Sequence, residues 1–237
     1  MIGAVLALSA LQTPWGVLVF SRTTGFRHDS IPAGVAAIQE LGKEGGFAVV
    51  ASEDPSIFTD SGLKSYRAIV FLNTTGDILN DDQQAAMERF VAKGGGFAGV
   101  HSAADTEYQW SFYGKLVGAY FKSHPHIQPA DVLVKDRKHL STQHLEAVWK
   151  RTDEWYCYQS HPAAHVKVLC ELDQKSYQGS TMPDPHPIAW HHDSLGGRAW
   201  YTGGGHTKES YVEPAFRRHL LGGILYVAKR ESQMPKL

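Results

Sequence analysis

The amino-acid sequence predicts an α/β protein with a doubly wound, mostly parallel sheet. Short continuous apolar runs, typical of strands covered on both faces, alternate with segments whose apolar residues recur every three or four positions, as in helices. Strand–helix–strand alternation of this kind produces parallel strands joined by right-handed crossovers. The chain has 237 residues, 43% of them apolar, which suffices for one domain with a sizeable core.

Four strands and two helices are predicted in the first half of the chain. The strands span 16–20, 47–52, 68–72 and 97–100. The first helix follows a cap at Ser30 or Asp29 and ends near the glycine pair at 45–46. The second helix covers 81–93, and Asn80 is suited to cap it because its side chain can accept a hydrogen bond from the first turn.

The second half is less regular and is expected to elaborate the sheet. Strands are predicted at 130–136, 165–172, 186–192 and 197–203, with a closing helix at 213–229. Because no repeat or linker interrupts it, we expect a single domain over 16–230.

Residues 1–15 are interpreted as an N-terminal extension or as the remnant of an export signal. The segment contains an apolar run, but no basic residue precedes that run and no clear cleavage site follows it. Periplasmic or secreted and cytoplasmic locations therefore both stay open. Whether the two cysteines, Cys157 and Cys170, form a disulfide also stays open. Their spacing is not that of a metal-binding motif.

The loops that follow the first, third and fourth predicted strands contain the candidate functional side chains of the first half. They are 21–30, 73–77 and 101–105. In parallel α/β sheets the ligand site lies beyond the carboxyl ends of the strands. We therefore expect His28 and His101 to be neighbours, although 73 positions separate them.

Six motifs, in order, cover nearly the whole chain. They are "LVFSRTTGFRHDSI", "FLNTTGDILNDDQQAAMERFVAKGGGFAGVHSAAD", "WSFYGKLVGAYFKSHP", "RTDEWY", "HPIAWHH" and "GGRAWYTGGGHT". Together they resemble the ThuA-like (trehalose utilisation) family. The resemblance implies a flavodoxin-like fold similar to class I glutamine amidotransferases. It also implies a carbohydrate-processing role in bacteria, through 3-keto-sugar intermediates.

His101 directly follows "GGGFAGV", where an amidotransferase of this fold would have its cysteine nucleophile. Neither cysteine of this chain lies at such a turn, and Ser102 lacks the surrounding Gly-x-Ser-x-Gly pattern. Cysteine amidotransferase chemistry is therefore not expected. Imidazole can act as acid, base or metal ligand near neutral pH, so His101 and His28 are predicted to be catalytic. Asp105 is a candidate to orient His101 or bind a sugar hydroxyl, with helix capping as its alternative.

Two residues of the first-half loops are candidate substrate ligands. Arg27 can hold a carboxylate or an enolate-like oxygen. Thr75 belongs to a turn whose backbone amides can face the ligand.

A second wall of the site is predicted from the middle of the chain. His124 is a candidate substrate ligand, and Asp153 and Glu154 form an acid pair beside Trp155 and Tyr156. A carboxylate next to aromatic faces can hold a sugar by stacking and hydrogen bonding. Glu154 is predicted to be catalytic and the other four residues to bind substrate. The alternative is that the aromatics are core residues and the acids a surface pair.

The chain has 13 histidines, and two late ones are further candidates for substrate binding. His206 follows a glycine run after a strand. His191 and His192 are adjacent on a strand and must face opposite sides, so at most one of them, for which we take His192, can join the site. A divalent metal, zinc or similar, is possible, although no His-x-x-x-His helix or His-Glu-x-x-His motif indicates one.

These groups suit enolate chemistry on a 3-keto-glycoside: elimination and hydration, net hydrolysis, or isomerisation. Two alternatives are a polysaccharide lyase for uronic-acid glycans and a non-catalytic sugar-binding module. The net charge is −1, without long basic runs, so neither nucleic acid nor a membrane surface is an expected partner. A small sugar or glycan is the expected ligand, and a homo-oligomer stays possible.

Overall fold

Nine strands form one mixed sheet in the computed structural model, which describes residues 15–162 and 164–236. Two short strands form a second, small sheet. The strands are β1 Trp15–Phe20, β2 Phe47–Ser52, β3 Tyr66–Leu72, β4 Gly96–Val100, β5 Phe121–Ser123, β6 Gln128–Val134, β7 Val148–Asp153, β8 Cys157–Tyr158, β9 Lys167–Leu172, β10 His186–His192 and β11 Ala199–Thr202. The helices are α1 Ile31–Gly45, α2 Asp60–Leu63, α3 Asp81–Ala92, α4 Ser111–Val117 and α5 Pro214–Val227.

The large sheet has a parallel and an antiparallel half. Strands β2, β1, β3, β4 and β11 lie side by side in that order and are parallel. Beyond β11, strands β10, β9, β6 and β7 continue the sheet with antiparallel pairing. The predicted α/β class with its flavodoxin-like, amidotransferase-like parallel layer is therefore confirmed, and the antiparallel strands are the elaboration of the second half.

The predicted helices and strands of the first half lie where the sequence placed them. Helix α1 ends at a left-handed Gly46 with φ 70°, a conformation in which glycine has no steric penalty. Helix α3 begins with a reciprocal capping box, in which Asn80 and Gln83 each accept a hydrogen bond from the other's backbone amide. Strands β1, β3 and β4 are mostly buried apolar runs, as expected for central parallel strands, whereas β2 lies at the edge of the sheet and is largely exposed.

Strand β7 is the main element that the sequence analysis missed. Its six residues, "VWKRTD", are mostly polar and include both exposed and buried positions, because β7 is one of the two edge strands of the sheet and has one solvent face. Its last residue is Asp153, so the segment expected to be a loop wall begins as a strand of the main sheet.

Cys157 and Cys170 are both buried and unpaired, so the pairing that the sequence left open is not made. Among the described residues, no helix is long and apolar enough to cross a membrane. The question of an extension or export signal at 1–15 concerns residues that lie outside the described part, apart from Trp15.

Candidate active site

His101 occupies a strained turn at the carboxyl end of β4. Its φ is 50°, an uncommon value for a residue other than glycine, and a short 3-10 turn over 101–105 begins there. The side chain is fully buried. Its Nδ1 lies 2.9 Å from the carbonyl oxygen of Gly203, and since a carbonyl can only accept, this nitrogen carries the proton. The other ring nitrogen, Nε2, therefore faces Glu154 and His206.

Glu154 lies one residue beyond β7 and contacts three imidazoles. Its Oε2 is 3.4 Å from His101 Nε2 and 3.2 Å from His206 Nδ1. Its Oε1 is 3.1 Å from His124 Nδ1. The glutamate side chain is 8% exposed and that of His124 is 42% exposed. The carboxylate therefore stands at the centre of the site, with His124 on its open side.

His206 is positioned by a loop that follows β11. Asp153 holds this loop: its Oδ2 accepts from the Gly205 amide at 2.8 Å and its Oδ1 from the His206 amide at 3.1 Å. Arg151 pairs with Asp153 at 3.1 Å inside the protein. Because Asp153 is fully buried, it positions His206 rather than contacting substrate, which differs from the substrate-binding role expected from the sequence.

His28 completes the cluster from the loop after β1. Its ring centroid lies 5.0 Å from those of both His101 and His206, and its Nδ1 lies 3.3 Å from Ser102 Oγ. The structure thus brings together the two histidines that strand order predicted to be neighbours. The parallel order β1, β3, β4 is the reason, since it places the ends of β1 and β4 at one edge.

Burial and mutual charge set the ionisation of these groups. Burial, reinforced by the charges of His101 and His206, lowers the pKa of His28 to about 3, so it is neutral at neutral pH. For Glu154, burial would raise the pKa, but hydrogen bonds from His101 and His206 outweigh it and the pKa is lowered. Burial likewise opposes charge on His206, yet the hydrogen bond and charge of Glu154 raise its pKa. Glu154 and His206 therefore shift each other's pKa toward the charged form.

Four side chains of the cluster offer donor atoms within 4.8 Å of one another: His28, His101, Glu154 and His206. Imidazole nitrogen and carboxylate oxygen are ligands that first-row transition metals accept. These four residues could therefore hold a metal ion.

The two aromatic residues predicted to stack on a sugar are buried instead. Trp155 is 1% exposed and its indole donates to the Gln128 carbonyl at 2.9 Å. Tyr156 is also buried, and its ring lies 4.1 Å from that of His101 and 4.2 Å from that of Phe121. Neither presents a free face, so the alternative of core aromatics fits their positions. Tyr156 backs the His101 ring.

Asp105 and Thr75 lie in the loops of the site edge but bond within them. Asp105 accepts from the Tyr108 hydroxyl at 2.6 Å, and burial raises the pKa of its carboxyl. Its hydrogen bond therefore goes to Tyr108 and does not orient His101. Thr75 donates to the Phe26 carbonyl at 2.8 Å, which joins the loops after β3 and β1.

Arg27 and His192 lie away from the cluster. Arg27 is exposed and forms a two-pronged pair with Glu53, with contacts of 3.1 and 2.7 Å. His192 bonds to the Leu116 carbonyl at 2.9 Å. Because β10 runs antiparallel to β11, with His192 opposite Ala199, its last residue lies at the amino edge of the parallel strands. The expectation that His192 joins the site is corrected by this reversal.

Glu107 supports the site and was not identified from the sequence. It is buried with φ 55°, and its Oε1 accepts from the amides of Ile78 and Leu79, both at 2.8 Å. It thereby holds the end of the loop that follows β3. No signal in the sequence distinguishes this acid from the other acids of the chain.

The fold and the site define an α/β protein with a histidine-rich, carboxylate-centred site at the carboxyl edge of its parallel strands. A family model described as "ThuA: Trehalose utilisation" matches residues 16–227. The chain therefore belongs to the ThuA family, as the sequence motifs indicated.

Solved structures show the same fold. The chain is similar to a ThuA-like protein from Bacteroides uniformis, with 22% identity, a TM-score of 0.77, and coverage of 94% of this chain and 95% of that one. A ThuA-like protein from Parabacteroides merdae has 16% identity, a TM-score of 0.74, and coverage of 91% and 90%. A β-galactosidase from Bacillus circulans matches over 92% of this chain but 31% of its own, with 12% identity and a TM-score of 0.55. No curated protein sequence matches the chain.

Proposed function

We propose that this ThuA-family protein is a carbohydrate-processing enzyme that performs acid–base chemistry on an oxidised glycoside, most simply a 3-keto-glycoside. The observation that supports it best is the cluster of His28, His101, His206 and Glu154 at the sheet edge where α/β folds bind ligands. The family's connection with trehalose utilisation supports a sugar as the substrate.

The first step removes the proton at C2, which the neighbouring C3 carbonyl acidifies. His28 is neutral because its pKa is about 3, so a ring nitrogen has an electron pair that can accept this proton. The electrons of the broken C2–H bond move into the C2–C3 enolate. His206 lies beside His28, with ring centroids 5.0 Å apart, and its ring can donate a hydrogen bond to the enolate oxygen.

The second step expels the group at C1. The enolate electrons form the C1–C2 double bond while the C1–O bond breaks, and the leaving oxygen takes up a proton. Glu154 is not that acid, because its lowered pKa keeps it ionised. His124 is half-exposed and lies 3.1 Å from Glu154, so it is the donor at the mouth of the site. Addition of water across the double bond then gives net hydrolysis, and reprotonation at C2 instead gives isomerisation.

The two alternative functions have less support in the geometry. A uronic-acid lyase needs a cation to neutralise the substrate carboxylate, but Arg27 is already paired with Glu53 away from the cluster. A sugar-binding module needs exposed aromatic faces, whereas Trp155 and Tyr156 are buried. Neither alternative explains why a carboxylate and three imidazoles meet.

Proton NMR of the purified protein with a 3-keto-glucoside in deuterated water tests the proposal. We expect deuterium to enter at C2 or the aglycone to be released. His28→Gln should lower the rate at least about 100-fold, the lower end of the contribution of general acid–base catalysis. His161→Gln, a change at an exposed histidine outside the cluster, should leave the rate unchanged. Absence of both signals with any added metal, or an unaltered rate in His28→Gln, would refute the proposal.

A further inference from the structure

We propose that His101, His206 and Glu154 bind a divalent first-row transition metal of the zinc type, with His28 beside the remaining coordination position. Binding itself follows from the geometry of the three donor atoms. The role of the ion in catalysis rests on the proposed function, because the ion would lie where the enolate oxygen forms.

The three donor atoms form a nearly equilateral triangle. His101 Nε2 and His206 Nδ1 are 3.2 Å apart. Glu154 Oε2 is 3.4 Å from the first and 3.2 Å from the second. Around a tetrahedral zinc ion with bonds of about 2.0–2.1 Å, neighbouring ligand atoms are about 3.3–3.4 Å apart. The three side chains therefore already have the separation that such an ion requires.

The contacts within the cluster also fit a cation at its centre. His101 Nδ1 lies 2.9 Å from the Gly203 carbonyl oxygen, so Nε2 is the ring nitrogen that faces Glu154 and His206. Glu154 Oε2 and His206 Nδ1 face the same point. A single metal ion can bind all three atoms at once.

The surroundings of the triangle match those of built metal sites. Ligating histidines commonly donate their other ring proton to a backbone carbonyl, which fixes the ring, and His101 does so with Gly203. Asp153 holds the backbone of His206 through its amide at 3.1 Å. The second oxygen of Glu154 contacts His124. Each ligand is thus oriented before an ion arrives.

The donor set selects the class of ion. Magnesium and calcium prefer all-oxygen ligands, whereas imidazole with carboxylate suits zinc and its neighbours. Catalytic zinc sites have three protein ligands and an open fourth position. One nitrogen of His28 lies within 4.8 Å of the three donor atoms, which places His28 next to a substrate bound at that position. An ion there polarises a carbonyl or enolate oxygen as a Lewis acid.

Metal binding can be measured without any sugar. The full chain, stripped with a chelator and dialysed, is titrated with zinc chloride by calorimetry at neutral pH, and with cobalt chloride by visible absorption. We expect one ion per chain and the intense ligand-field bands of four- or five-coordinate cobalt. Glu154→Gln and His206→Gln should each weaken zinc binding at least about 100-fold, the upper end of the loss caused by removing a second-shell partner.

Matched variants separate the site from surface binding and from misfolding. His161→Gln removes an exposed histidine and should bind zinc like the wild type. His28→Gln should bind it with a smaller loss than His206→Gln. His206 is the partly exposed member of the triangle, so its variant is expected to fold, which circular dichroism checks. Failure of the wild type to bind zinc or cobalt, or wild-type affinity in a folded His206→Gln, would overturn the metal site.

Zinc binding and turnover of the 3-keto-glucoside are measured separately, so each proposal can fail without the other. Zinc binding without turnover of the 3-keto-glucoside would keep the metal site and reject the proposed function. Turnover by chelator-treated protein that binds no zinc would keep the function and reject the metal. Turnover that is lost with the chelator and restored by zinc would support both.

Discussion

Glu154 connects three imidazoles within 3.4 Å although its side chain is only 8% exposed. A buried carboxylate is costly unless it is paired and hydrogen-bonded, and here the partners come from three separate loops. This single residue therefore ties the loops of His101, His124 and His206 to one point. Its neighbour Asp153 binds the backbone of the loop that contains His206.

Replacement of Asp153 by asparagine should be strongly destabilising. Asp153 is fully buried and pairs with Arg151 while it accepts from three backbone amides, those of Glu154, Gly205 and His206. Removing one partner of a buried ion pair leaves an uncompensated charge and typically costs about 3 kcal/mol or more. Arg151 retains Glu213 as a second partner, so we expect about 3 kcal/mol, the low end, measured by urea denaturation.

Asp131→Asn is the matched control for this change. Asp131 lies on the neighbouring strand β6, and it pairs at the surface with Lys150 across 3.4 Å. Exposed ion pairs contribute about 0–1 kcal/mol, so its free energy of unfolding should stay close to that of the wild type. If both variants lose the same free energy of unfolding, burial of Asp153 does not determine how much it contributes to stability.

At the scale of elements, the site depends on short connections that follow parallel strands. The turn after β4 presents His101 with φ 50°, and the loop after β11 presents His206 through Gly205, which has φ 108°. Residues other than glycine rarely adopt a positive φ. Rigid buried strands hold both ends of these connections, which is how the strained conformations persist.

Helix α3 provides a test of the cap at Asn80 that the sequence predicted and of the capping box that the structure shows. Asn80 Oδ1 accepts from the Gln83 amide at 3.0 Å, and Gln83 returns the bond at 2.9 Å. Asn80→Ala should lower the free energy of unfolding by about 1 kcal/mol, since it leaves a helix amide without its acceptor. Asn80→Asp keeps the acceptor and should be nearly neutral. Thermal and urea unfolding measure both, and a neutral Asn80→Ala would show that the cap does not contribute.

At the scale of the whole molecule, the two halves of the sheet have different tasks. The parallel half places the ends of β1, β3, β4 and β11 at one edge. The antiparallel half ends in β7, whose terminus delivers Asp153 and Glu154 to that edge. The site therefore requires both halves, although they are far apart along the chain.

Buried histidines should make the stability of the whole molecule sensitive to acid. His219 on α5 is fully buried, and burial, with the charges of His144, Arg151 and His139, lowers its pKa from 6.5 to about 3. Between these values the unfolded chain binds a proton and the folded chain does not. Stability is therefore full above pH 6.5 and falls as the pH falls toward 3.

His219→Gln should make this fall shallower by up to about 1.4 kcal/mol per pH unit, the linkage of one proton. Urea unfolding at several pH values from 7 to about 4 measures the slope. His126→Gln, at an exposed position, should keep the wild-type slope. If His219→Gln also keeps it, burial of His219 is not the source of the acid sensitivity.

Much of the architecture follows from the sequence because its signals are local. Apolar runs such as 16–20 and the Asn80 cap report on their own neighbourhood, so the parallel layer and its helices could be predicted. Strand order then implied that His28 and His101 would meet. Strand β7 was missed because an edge strand with a polar face lacks a continuous apolar run.

Only the tertiary structure decided which side chains of the site contact one another. The sequence alone determined the fold class, the ThuA family and the edge where the site lies. It did not determine that Glu154 joins His101 and His206, that Asp153 turns inward to the backbone, or that Trp155 is buried. Those outcomes depend on the direction of β7 and β10 and on packing between segments more than 50 residues apart, and no local pattern in the chain encodes such distances.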